Sequence, residues 1–185
     1  MKKLLGLFSA FGVIASTAAI SANVVSCGNK DDAKSLTYNE GKSDKDVVEM
    51  LTNESAKIGM EDSKPLQVKD GKLDADYKDT ENTNEDGQKV TIEGAFVISA
   101  SSSSKDKSFT DEVNKIFKET GDLIPSHNDD DTGFDYLMTI KGSKGSKNFD
   151  LNIVKFTVAK NGDKYSYETK TDYRITVTIP SESTK

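Results

Sequence analysis

The sequence predicts an α+β fold: two units, each a helix followed by three antiparallel strands, forming one compact domain behind a signal peptide and a tether. Three observations carry this reading. Two amphipathic helix patterns start at capping serines, Ser43 and Ser108; strand-period alternation follows each; and hairpin dipeptides, Asp70-Gly71 and Asn161-Gly162, punctuate the alternating runs. The bounds that follow are 1–26 for the signal, 27–43 for a lipidated cysteine and tether, 44–104 for the first unit and 105–185 for the second.

The first element is an address. Lys2 and Lys3 precede a charge-free apolar run that ends in Val24-Val25-Ser26-Cys27-Gly28 and holds the sole cysteine of the chain. A basic start, an apolar stretch and small residues before a cut read as a secretory signal. A membrane-spanning anchor is the rival, because Leu4 to Ser26 carries no charge and about 20 apolar residues suffice to cross a bilayer. Ser16, Thr17, Ser21 and Asn23 speak against it. Either way the two lysines stay inside and the rest faces outward. Acylation of the Cys27 sulfur would consume the only thiol, which excludes disulfides and a cysteine nucleophile from the mature chain.

Gly28 to Lys42 is polar, with Leu36 and Tyr38 its only sizeable apolar residues, and reads as the tether. Ser43 with Asp46 forms a partial capping box, and Val47, Val48, Leu51 and Ile58 give an apolar face, so a helix is expected over Asp44–Ile58. Leu66–Lys69 and Lys72–Tyr77 then make a hairpin through a type I′ turn at Asp70-Gly71, with Leu66, Val68, Leu73 and Ala75 on its buried side. A polar segment, Lys78–Gln88, leads to one strand in which Val90, Ile92, Phe96 and Ile98 alternate through Gly94.

The pattern restarts after the serine run at 101–104. Ser108 caps a helix with Phe109, Val113, Ile116 and Phe117, stopped near Gly121. The two helices match at a constant offset of 65, Ser43 with Ser108 and Asp46 with Asp111 among them, which suggests an internal duplication. Phe134, Tyr136, Met138 and Ile140 form the next strand, and Lys141–Asn148 is a Gly/Ser/Lys loop. A long hairpin through Asn161-Gly162 closes the chain. Its second strand keeps one parity from Tyr165 to Ile179, whereas its first changes parity, from Phe149, Leu151 and Ile153 to Val154, Phe156 and Val158. With Val158 opposite Tyr165 and Phe156 opposite Tyr167, one residue must bulge out, expected at Ile153-Val154.

Composition bounds the partners. Without Lys2 and Lys3, the 25 basic residues fall to about 23 against 31 acidic ones, a charge near −8. Nucleic acid is therefore not an expected partner. An acidic ectodomain is also repelled by an anionic bilayer, which suits outward display. Arg174 is the only arginine and tryptophan is absent, which reads as codon supply.

Constellations that could carry chemistry are few. Asp131-Thr132-Gly133 matches the triplet of aspartic proteases, but polar His127-Asn128-Asp129-Asp130 precedes it and no second triplet exists, so an acidic turn is the better account. Residues 82–93 place Asn82, Asn84, Asp86 and Glu93 at calcium-loop positions with Gly87 at six, yet Lys89 and a following strand break the pattern. His127, the one histidine, is expected at the surface. Tyr165, Tyr167 and Tyr173 could stack sugars but at strand period are expected to be core or half-buried. No catalytic residue, resident metal or cofactor follows from these patterns.

The residues V-V-S-C resemble the lipobox of bacterial lipoproteins. Together with the opening M-K-K-L-L-G-L-F, the lysine-rich, tryptophan-free body and the alternating Y-R-I-T-V-T-I-P tail, they resemble the spiralin-like surface lipoproteins of wall-less bacteria (mollicutes). That resemblance implies a non-catalytic protein on the outer face of the cell membrane, held in the lipid bilayer by acylated Cys27. It also implies roles in coating the cell or in adhesion to a host glycoprotein or glycan. Two other classes compete: a solute-binding lipoprotein of a transport system, which usually needs two lobes of about 100 residues or more each, and a secreted hydrolase, for which no constellation stands out.

Overall fold

The computed structural model describes residues 32–53, 66–83, 87–100, 109–128 and 132–181. The signal with Cys27, residues 54–58 of the expected first helix, the serine run with Ser108, Asn84, Asp86 and Asp131 lie outside the described residues. The first helix nonetheless ends at Thr52, where Asn53 turns extended, so it does not run on as one helix to Ile58, and the second begins at Asp111 with Thr110 rather than Ser108 in the capping position.

The longest alternating segments build the frame. β8 (Gly133–Lys141), β9 (Asn148–Asn161) and β10 (Lys164–Thr178) form an antiparallel meander. β6 (Ala95–Ser99) and β7 (Ser126–His127) pair with the outer edge of β8, and β1 (Lys34–Ser35) adds to β10 in parallel, giving a six-stranded sheet in the order β1-β10-β9-β8-β6. Two hairpins stand apart from it: β2 (Val68–Lys69) with β3 (Lys72–Leu73), and β4 (Thr80–Thr83) with β5 (Lys89–Ile92). Two short helices complete the described fold, α1 (Asp44–Thr52) and α2 (Asp111–Ile116), with a 3-10 turn at Thr120–Asp122.

This overturns the expected α+β fold of two helix-plus-three-strand units. The described residues are 50% strand against 16% helical, a curled half-barrel sheet that carries two helices. The misreading starts at Glu93-Gly94. Gly94 has φ +84°, and a Cβ there would meet the Ile140 carbonyl oxygen at 2.8 Å, so the backbone turns close against β8. The run from Val90 to Ile98 is thereby cut in two. β5 folds back on β4, which lay hidden in a polar segment, and β6 alone enters the main sheet, with Ala95 opposite Ile140. The segment after α1 supplies a two-residue hairpin, whereas α2 precedes strands of 9 to 15 residues, and this does not support a duplication.

The tether is also shorter than its composition suggested. Lys34 pairs with Tyr173, the Leu36 N–H donates to the Arg174 carbonyl at 3.0 Å, and Leu36 is buried. Tyr38 stacks on Phe117 with ring centroids 5.5 Å apart and donates to Asp44 at 2.6 Å. Two apolar residues in a polar stretch are enough to seat it when each fills a core position.

The phase change in β9 has a physical meaning that alternation alone did not reveal. β9 pairs regularly with β8 throughout, Ile153 opposite Met138 and Val154 opposite Leu137. Phe149, Leu151 and Ile153 face the larger core, built with Val47 and Leu51 of α1, Val113 of α2, Phe117 and Val177. Val154, Phe156 and Val158 face a second core on the other side, with Val90, Ile92, Leu137 and Tyr167. The sheet is covered on one face at one end and on the opposite face at the other. The extra residue is Asp172 of β10, opposite the expected Ile153-Val154 site but on the partner strand: Thr171 pairs with Val154 and Tyr173 with Ile153. It switches β10 between faces while its odd parity persists. The turn is shifted as well. Asn161 pairs with Lys164 around Gly162 at φ +63°, so Val158 lies opposite Tyr167 rather than Tyr165, and Phe156 opposite Thr169.

Other local expectations hold. Asp70 and Gly71 have φ +52° and +67°, the left-handed pair that a type I′ turn requires. At α1 the Asp46 carboxylate accepts the Ser43 N–H at 3.0 Å.

Candidate functional site

Glu93, the last position of the candidate calcium loop, is 6% exposed and already partnered. Arg174 Nη2 donates to its Oε2 at 2.6 Å and the Thr171 hydroxyl donates to the same oxygen at 2.7 Å. Arg174 Nε donates to Asn152 Oδ1 at 2.8 Å, Asn152 approaches the Thr139 hydroxyl, and that hydroxyl donates to the Glu93 backbone carbonyl. Lys141 Nζ lies 4.0 Å from the second Glu93 oxygen and 2.7 Å from Asp79, whose carboxylate also accepts the Gly94 N–H at 2.9 Å. Asn152, Thr139 and Arg174 occupy one row across β9, β8 and β10 because their backbones are directly paired. The network clamps the β5–β6 corner onto the sheet. Asn82 sits in β4 opposite Val90. Among the described residues no group of three acidic, histidine or cysteine side chains is placed to hold a metal ion.

His127 is not the surface residue expected. Its side chain is 22% exposed, and its Nε2 lies 3.1 Å from Asp135 Oδ1, inside the second face of the sheet. Burial pushes the Asp135 carboxyl above the usual range, against the opposing pull of His127. Asn128 closes the following turn through its N–H to the Thr132 carbonyl at 2.8 Å and its amide to the Thr132 hydroxyl at 2.9 Å. Gly133 is the hinge of this arrangement: at φ +140°, an added Cβ would come within 2.0 Å of the Ser126 carbonyl oxygen. A shallow cleft of about 350 Å³ opens beside it, lined by Asn128, Thr132, Phe134, Thr157 and Lys160 among others.

Of the tyrosine stripe, Tyr167 is 7% exposed in the second core, while Tyr165 and Tyr173 are half-buried with Lys160 and Lys34 over their rings at 5.6 and 5.7 Å. Phe134 and Tyr136 make an edge-to-face pair at 5.7 Å, with Lys155 Nζ 3.7 Å above Phe134. Sequence reasoning missed the Glu93–Arg174 clamp and the His127–Asp135 pair. The available signal was Arg174 itself, the single arginine, placed on a strand whose neighbours are core residues.

These features define a curled, mostly antiparallel sheet in which Glu93 is paired with Arg174 and Asp135 with His127. No family model, curated protein or solved structure matches this chain. Among the described residues no helix is long and apolar enough to cross a membrane.

Proposed function

We propose that the protein is a surface lipoprotein, carried on the outer face of the cell membrane by acylated Cys27 and acting by coating the cell or binding host surface molecules rather than by catalysis. The observation that carries this reading is the V-V-S-C-G context of the sole cysteine, followed seven residues later by the first strand of the sheet. A lipid there would have the whole fold on its outward side. Two acyl chains anchor a protein stably where one does not, so a diacylated cysteine needs no further membrane element. Glu93 is paired with Arg174, and His127 with Asp135.

The test is protease treatment of intact cells. Loss of the domain while a cytoplasmic marker survives is expected, and survival of the domain until the cells are lysed overturns the surface reading. Binding of the mature protein to immobilised host glycoproteins then separates adhesion from a coat role.

A further inference from the structure

We draw no further inference here: the strongest candidate, the half-buried cluster of Phe134, Tyr136 and Tyr173 on the face of the sheet that carries the larger core, names no partner, because Lys155 and Lys34 lie over two of its rings and nothing in the structure shows what covers it.

Discussion

Replacing Arg174 by alanine removes the strongest donor to a carboxylate that is 6% exposed, and the consequence can be worked from the distances. Glu93 Oε2 would keep the Thr171 hydroxyl at 2.7 Å, and Lys141 at 4.0 Å could move toward the other oxygen. Breaking a buried pair by deleting one partner costs about 3–5 kcal/mol, because a charge is left without its counterion. Lys141 nearby and the 21% exposure of the Arg174 side chain place this case at the lower end, about 3 kcal/mol. With a urea slope of about 2 kcal/mol/M for a domain of this size, the midpoint should fall by roughly 1.5 M. The assay is equilibrium urea unfolding of the mature chain carrying Cys27→Ser, followed by tyrosine fluorescence and circular dichroism. Glu93→Leu with Arg174→Leu should recover much of the loss, since a buried pair replaced by apolar residues is often close to neutral. A loss below about 0.5 kcal/mol for Arg174→Ala, the level of an exposed pair, would refute the clamp.

Three further outcomes follow from the fold. Gly133→Ala places a Cβ 2.0 Å from the Ser126 carbonyl oxygen, so β7 should detach from β8 with a loss of at least about 1–3 kcal/mol; hydrogen exchange at 126–128 should rise, and unchanged protection there would count against it. Deleting Asp172 removes the residue that switches β10 between faces and should abolish cooperative unfolding, whereas a cooperative transition near the parent midpoint would contradict the two-face account. Burial raises the Asp135 carboxyl above 3.8, so the folded state holds that proton longer than the unfolded chain. The resulting stabilisation is present below about pH 3.8 and lost as pH rises through the raised value. In a His127→Gln background, Asp135→Asn should therefore gain stability relative to its parent as pH rises from about 4 toward neutral, and a flat difference would contradict it.

What could be read in the sequence was what local chemistry determines. Asp70-Gly71 specifies left-handed backbone at two successive residues, and Ser43 with Asp46 specifies a helix start, whatever surrounds them. The parity conflict between β9 and β10 correctly required one extra residue. Alternation could not say which strand held it, because it assumed that only one face of the sheet is buried. The second core, with Val90 and Ile92 of the β4–β5 hairpin over Val154 and Phe156, removes that assumption. β4, Thr-Glu-Asn-Thr, has no apolar pattern to announce it and exists through its pairing with β5. Arg174 was read as composition, although its meaning depends on Glu93, 81 positions away and brought near by a corner at Gly94. Leu36 and Tyr38 were too sparse to mark a strand, yet they tie the start of the domain to β10 and to Phe117.

The state of Cys27 decides between a lipidated surface protein and an uncleaved anchor. Intact mass and detergent partitioning of the protein from its own cells, beside a Cys27→Ser variant, test it. Mature protein beginning at a diacylated Cys27 that enters the detergent phase, with a variant that does not, is the result expected. Partitioning of both proteins with Met1 still attached would contradict it, making the first residues an uncleaved anchor and leaving Cys27 a free thiol.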